Sequence, residues 1–493
     1  KQEKLLLVLF YKLSYSDLMI QNQKDTLKRL AKIIGDGVVV MHGSTTQYRN
    51  ADTWHPFRQD SNFHYLTAWP EPEAHAIIKI DGGKYELFLF VLERNEEFET
   101  WDGKRIGIDG AEDLYGATKA FSIEEYEKRF PNLVSGYENV YLDYSSSQFE
   151  GSDKELLNKS TPYDQRGAEF SKAKIYPILP ILSEMRLIKT SEEIDLLIRA
   201  CDITTKGHIK AMQKTKPDMF EYQVAAELEK VFFNEGAERL GYPSIVAGGS
   251  NACILHYSTN RDKLKEDTLL LIDAAAEYKM YSADVTRTFP VSGKFSPEQK
   301  DVYNEVLKAQ KAGIELVVEG STMKEIHEKT VKNISQSLID LGLVPKGLDE
   351  TISMMHYFEF FMHGTGHWLG LDVHDAGSIE KEGSPRELKE GMVTTVEPGI
   401  YIRPSKPVID FPLIERDPLE IKERRQKIGI KEAMKAEKEE IENAKKLSHK
   451  IPENLLGIGV RIEDDIVCTK DNPINLTKEV PREVQEVEDL CSF

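Results

Sequence analysis

The sequence predicts a mixed α and β protein in two domains, a smaller α/β domain followed by a larger α+β one. Three observations carry this. A chain of 493 residues is too long for one compact core. Short β-rich runs crowd residues 37–91. From Thr190 onward two helices, a group of strands, two more helices and further strands follow in order, which hints at an internal duplication.

The first domain is expected over residues 24–180. Its strands are Gly37–Met41, Ala76–Ile80 and Tyr85–Val91, and Ser122–Arg129 is a short helix. Pro177 and Pro180 mark the crossing into a second domain over residues 181–480. There Thr190 and Glu193 form a capping box, and Ile194, Leu197, Ile198, Cys201 and Ile209 line one face of the helix it starts. A second helix, Phe220–Asn234, stops at Gly236. Strands follow at Ser244–Ala247, Thr268–Ala274 and Tyr281–Phe289, then helices at Pro297–Val318 and Met323–Leu341. A charged insertion occupies about residues 404–454. Within it Lys422–Lys450 is dense in Lys, Glu and Arg, with Ala433, Met434, Ile441, Ala444 and Leu447 at helical spacing. It reads as a solvated surface helix laced by i,i+4 charge pairs; the sharper alternative is an arm that docks a partner.

The bulk numbers exclude some functions. A formal net charge of −19 argues against nucleic acid or an anionic membrane as a main partner. No apolar run approaches the ~20 residues that span a bilayer. Cys201, Cys253, Cys468 and Cys491 form no CxxC or regular framework, so free thiols in a reducing compartment, cytoplasmic or mitochondrial, are expected. The apolar run Leu5–Tyr11 is short for a secretion signal and lacks a cleavage site. The chain begins at Lys1 rather than Met, which leaves room for a removed leader.

Metal-binding side chains recur through the second domain. Asp273 ends the apolar run Leu269–Ile272, and Asp284 lies on the next strand, where a hairpin-like pairing would bring both to one face. Either alone reads as a turn cap or an ion-pair partner; the pair is open between that and a shared cation. His363 and His367 have the i,i+4 spacing of a zincin helix, but Gly364 and Gly366 disfavour a helix and no Glu follows His363, so that reading fails. A loop presenting His367 to a metal remains, with His374 close behind. Glu397 finishes the β-branched run Val393–Val396 and needs a partner there. Arg461 and Glu463 alternate with Val460 and Ile462, either as a surface pair or as a metal ligand oriented by its neighbour. Together four carboxylates and one imidazole make a hard site suited to a pair of Mn²⁺ or Zn²⁺ ions, which points to metal-assisted hydrolysis.

At these residues the chain resembles the pita-bread metallopeptidases, and among them the aminopeptidase P family. The likeness runs through Cys253–Tyr257, Asp284–Pro290, Met362–Asp375, Val396–Tyr401 and Gly459–Asp465, and into the first domain through Phe57–Phe63, Glu71–Ala74 and Thr100–Gly107. It implies a duplicated αβ catalytic domain behind a smaller α/β domain. It implies two divalent ions per chain, Mn²⁺ first and Zn²⁺ second, on Asp273, Asp284, His367, Glu397 and Glu463. His256, His363 and His374 would line the substrate site and serve the chemistry, with Glu397 as proton shuttle and Arg461 beside the metals. Asp52 would pair with Arg461, and Trp101 would reach a neighbouring subunit's site in a dimer or tetramer. Two departures stand out: Ala274–Ala276 replaces a Gly-containing stretch, and the charged insertion lengthens the link between Glu397 and Glu463.

The implied reaction is removal of the first residue from peptides with proline second, a metal-bridging hydroxide attacking the carbonyl before proline. An Xaa-Pro bond has no N–H to grip, and its ring nitrogen must be protonated as it leaves. A prolidase acting on dipeptides and an inactive binding module are the competing readings. The segment His367–Gly370 looks more like the aminopeptidase, and the intact ligand set opposes the inactive module.

Overall fold

The computed structural model describes residues 15–143 and 174–492, with side chains from residue 21 onward; the apolar run Leu5–Tyr11 lies outside them. The chain divides into two compact units, one up to Glu184 and one from Met185.

The first unit is built on a six-stranded sheet. Gly37–His42 and Lys84–Val91 flank His75–Asp81 in antiparallel register, with Val39 opposite Ile78 and Ile78 opposite Leu87. The expected strands are present because their apolar runs are buried on both faces: Val38, Val40 and Ile77 pack with Phe90, Phe130 and Leu142 on one of them. Ser122 belongs to the strand Lys119–Ser122, which pairs in parallel with Phe88–Val91; the helix expected to start there begins at Tyr126 and runs to Val134.

In the second unit Thr190 caps the helix Ser191–Lys214. Its hydroxyl accepts from the Glu193 amide while the Glu193 carboxylate accepts from the Thr190 amide. The buried face differs from the expected one. It runs through Leu197, Ala200, Cys201, Thr204 and His208, while Ile198 is 39 % exposed. Small residues occupy the contact because the neighbouring helix Glu221–Asn234 comes close: a Cβ on Gly207 would lie 2.3 Å from the Phe232 ring.

Leu269–Asp273 is the middle strand between Ile245–Gly248 and Thr286–Pro290, with Asp273 opposite Thr286. The single strand expected over Tyr281–Phe289 is two. Tyr281–Ser282 folds back on Ala276–Tyr278 through a tight turn at Lys279 and Met280, both left-handed, and Thr286–Pro290 joins the other sheet. Asp284 sits in the gap between them.

The second half repeats this plan. Helices Pro297–Ile314 and Met323–Asp340, each with a capping box, precede another interrupted ladder. Val396 pairs with Asp464 and Gly399 with Arg461. Glu397–Pro398 therefore faces Ile462–Glu463 across a break, where proline has no amide hydrogen to give. The strand expected to alternate through Val460–Glu463 stops at Arg461, and the Glu463 amide donates to the Thr286 carbonyl at 3.1 Å. The two interrupted ladders are thereby joined.

The charged insertion is not one helix. Val408–Pro412 and Lys446–Lys450 form a hairpin arm that carries Leu447 in a strand opposite Phe411. Between them helices Pro418–Ile428 and Ile430–Asn443 are separated by Gly429, whose φ of +85° breaks the run. Arg424 pairs with Glu440 and Arg425 with Glu437, at 2.8 and 2.9 Å. Among the described residues no helix is long and apolar enough to cross a membrane.

Candidate metal centre

The broken ladders deliver acidic side chains to one place. Asp273 stands at the end of its strand, Asp284 in the gap eleven residues on, and Glu397 and Glu463 in the second break. Oxygen and nitrogen atoms of Asp284, His367 and Glu463 lie within 4.8 Å of one another. His367 Nε2 is 3.3 Å from Asp284 and 3.9 Å from Glu397. Asp273 joins through Tyr242, whose hydroxyl lies 2.5 Å from a carboxylate oxygen of Asp273 and of Asp284. Arg461 Nη2 donates to the other oxygen of Asp273 at 2.5 Å.

The loop His363–His367 is not a helix, as its glycines required. A Cβ on Gly366 would lie 2.0 Å from the Thr395 carbonyl oxygen, so the loop reaches the strand only with glycine there. The Thr395 amide donates to the His367 carbonyl and the Glu397 amide to the Thr365 carbonyl. These two bonds set the imidazole beside Glu397.

Ring tautomers follow from partners. His367 Nδ1 faces the Trp368 carbonyl at 3.0 Å, an acceptor only, so Nδ1 carries a hydrogen and Nε2 is the nitrogen aimed at the acidic cluster. His363 Nδ1 likewise donates to the Gly364 carbonyl, and its Nε2 accepts from the Tyr401 hydroxyl at 2.8 Å. That hydroxyl oxygen in turn accepts from Arg461 Nη1. His374 packs edge-on to His367, ring centroids 4.2 Å apart. His256 follows the turn Gly249–Cys253 and is exposed; the charge of Arg461, and after it those of His327 and His256, bear on His363.

Electrostatics show what partner the cluster suits. Burial, then the neighbouring carboxylates Asp284 and Asp273, push Glu397 up to about 7 against the pull of His367 and Arg461. Burial, with Asp284 and Glu397, holds Glu463 well above the usual carboxylate range. Asp273 is also raised, burial and Asp284 outweighing Arg461 and Tyr242. Burial would depress His367, but its contact with Asp284 and the charge of Glu397 raise it to about 9. Protons here do the neutralising that cations would do better. Four carboxylates and one aimed imidazole nitrogen fit hard divalent ions. His363 is opposite in character, driven down to about 3 by burial and by Arg461.

Of the residues expected from sequence, Asp273, Asp284, His367, Glu397, Glu463, His363, His374 and Arg461 are gathered at this cluster. Arg461 and Glu463 are 4 % and 2 % exposed, so the surface-pair reading falls. Asp52, in the turn of the hairpin Tyr48–Trp54, and Trp101, 84 % exposed on helix Glu96–Asp102, belong to the first unit. Sequence reasoning missed Tyr242 and Thr286, whose hydroxyl donates to Glu463 at 2.7 Å. It also missed His327, whose Nδ1 is 2.9 Å from the Thr365 hydroxyl. No periodicity marks Tyr242 or His327. Thr286 lay within the Asp284–Pro290 segment.

A cation centre of this kind on paired, interrupted ladders is the arrangement of a metallohydrolase. The profile of Metallopeptidase family M24 matches residues 195–470, and that of the aminopeptidase P N-terminal domain matches residues 20–141. A Xaa-Pro aminopeptidase of Haemophilus influenzae is 38 % identical over 94 % of this chain and 95 % of its own. One of Escherichia coli is 35 % identical over 90 % of each. The structure of the Pseudomonas aeruginosa aminopeptidase PepP superposes with a TM-score of 0.84 at 36 % identity, covering 97 % of this chain and 98 % of that one. The chain belongs to metallopeptidase family M24, in the aminopeptidase P branch that carries this N-terminal domain, and is a metal-dependent aminopeptidase.

Proposed function

We propose that this chain removes the N-terminal residue from peptides whose second residue is proline. The observation that carries this is the convergence of Asp273, Asp284, His367, Glu397 and Glu463 beside His363 and His374, in a chain whose full-length relatives are named Xaa-Pro aminopeptidases. We assign those five as ligands of two divalent ions, Mn²⁺ before Zn²⁺. Bound there, the ions supply Lewis acidity to the scissile carbonyl and lower the pKa of the attacking water.

The chain's own groups do the rest. Glu397, beside His367 in the acidic cluster, takes a proton from the water and returns it to the proline nitrogen. His256 or His374 stabilises the oxyanion. His363, held neutral and fixed between Gly364 and Tyr401, lines the substrate site. Arg461 orients Asp273. Asp52 and Trp101 are substrate-side residues, the latter within a dimer or tetramer. We take residues 24–180 and 181–480 as the two domains. The four free cysteines suit a reducing compartment, cytoplasmic or mitochondrial.

The test is a substrate panel on metal-reconstituted protein, an Xaa-Pro-Pro tripeptide against Gly-Pro, with Glu397→Ala as control. Tripeptide cleavage that disappears in the control is expected. Turnover of the dipeptide alone would assign a prolidase instead.

A further inference from the structure

The turn that presents His374 is held by a buried ionic clamp that no step above uses. Asp375 follows His374 and its side chain is 1 % exposed. One carboxylate oxygen accepts from Arg186 Nη2 at 2.5 Å, the other from Lys189 Nζ at 2.9 Å. Those cations are themselves 3 % and 1 % exposed, and Arg186 also meets Asp372 at 2.7 Å. Burial would raise the Asp375 carboxyl, but the two cations hold it below the usual range.

The backbone is wound around this clamp. The Asp375 amide donates to the Trp368 carbonyl, the Gly370 amide to the Asp372 carbonyl, and the Lys189 amide to the Gly391 carbonyl. A Cβ on Gly370 would lie 2.4 Å from the Asp375 carboxylate and 3.0 Å from the Lys189 stem, so a side chain there would force the ion pair apart. A buried ion network is costly to desolvate, and apolar side chains of the same volume often stabilise as well or better. Stability alone therefore does not account for it. A directional clamp fixes where the next residue points.

We propose that Asp375, gripped by Arg186 and Lys189, is a positioning residue that holds His374 against His367 and through it sets the turnover rate. This rests on the reading of His374 as a group that serves the reaction. Arg186, in the last turn of helix Leu179–Leu187, and Lys189, just before helix Ser191–Lys214, lie almost two hundred residues earlier in the chain.

The test uses the full chain in two variants. Asp375→Asn keeps the shape and removes the charge. Arg186→Met/Lys189→Met/Asp375→Leu replaces the clamp with apolar volume and guards against a variant that fails to fold. In both, kcat on an Xaa-Pro-Pro tripeptide should fall about 10- to 100-fold with KM within about threefold, the cost of a misplaced group. The triple variant should keep its melting temperature. In a His374→Ala background Asp375→Asn should add no further loss. In the metal-free protein the ¹⁵N imidazole signals of His374 should shift or broaden in both variants. Unchanged ring signals, or an equal loss of kcat with and without His374, overturns the proposal. Full activity of His374→Ala would instead overturn the role given to His374, and the link from the clamp to turnover with it.

Discussion

Arg461 and Asp273 share a hydrogen bond of 2.5 Å at the junction of the two interrupted ladders. The guanidinium is 4 % exposed and also donates to the Tyr401 and Thr286 hydroxyls. Its contacts reach both the carboxylate cluster and the His363 side of the site. Arg461→Met keeps the stem and removes the charge. Breaking one partner of a buried pair typically costs about 3–5 kcal/mol. The expected outcome is a melting temperature lowered by several degrees in the metal-free protein, largely recovered with Mn²⁺, and kcat/KM reduced by at least about 100-fold. Calorimetry with and without metal, beside steady-state kinetics, checks it.

The carboxylate cluster sets a pH dependence for the metal-free protein. Glu397 is raised to about 7, and Asp273 and Glu463 are raised as well. Carboxyls that hold protons more tightly folded than unfolded stabilise most below the ordinary carboxylate range, and that contribution is lost as pH rises through the folded values. Histidines held low by burial, His208 and His363 foremost, act the other way up to about pH 6.5, so metal-free protein should lose melting temperature chiefly between about pH 6.5 and pH 9, as Glu397 and then His367 give up protons. Divalent metal competes with those protons. Its stabilisation should be larger at pH 8 than at pH 5. A metal-induced shift in melting temperature that is flat across that range would contradict this account of the cluster.

Gly366 is needed for approach. Gly366→Ala puts a Cβ 2.0 Å from the Thr395 oxygen, which is backbone and has nowhere to move. The loop must then lift from the strand that precedes Glu397, taking His367 with it. Weakened Mn²⁺ binding by titration calorimetry is expected, with far-ultraviolet circular dichroism unchanged. Gly364→Ala, whose Cβ would meet only Gly366 backbone at 3.8 Å or more, should bind metal nearly normally.

How far the site was legible follows from the same residues. The capping box at Thr190 needs only a hydroxyl and a Glu three residues apart, and it is present in the structure. Glu397 could be placed because it ends a β-branched run. The break at Asp284 could not. Apolar period continues from Tyr281 to Phe289, and only the Asp284 amide's bond to Asp465, 181 residues away, shows where the strand is interrupted. The same holds for Ile462–Glu463, where the Glu463 amide leaves its ladder for Thr286. Tyr242 stands outside any periodic segment. Long-range hydrogen bonds decide these positions, and pattern along the chain carries no trace of them.

The charged insertion invites a deletion. Its two helices bury only Ala433 and Glu437, and Ile430 and Met434 are 67 % and 56 % exposed. Exposed ion pairs such as Arg424–Glu440 contribute little, about 0–1 kcal/mol. The hairpin below them is registered on its own, Asp410 opposite Ser448 and Phe411 opposite Leu447. Phe411 is fully buried in the main core of the catalytic unit, which ties the arm down without help from the helices. Replacing residues 415–443 with a short Gly-Ser link should leave the melting temperature within about 3 °C, since surface changes away from packed features cost little. Turnover of an Xaa-Pro-Pro tripeptide should also persist. A large loss of kcat/KM with stability intact would show that the helices reach the substrate path, and a change confined to elution volume would assign them to contacts between subunits.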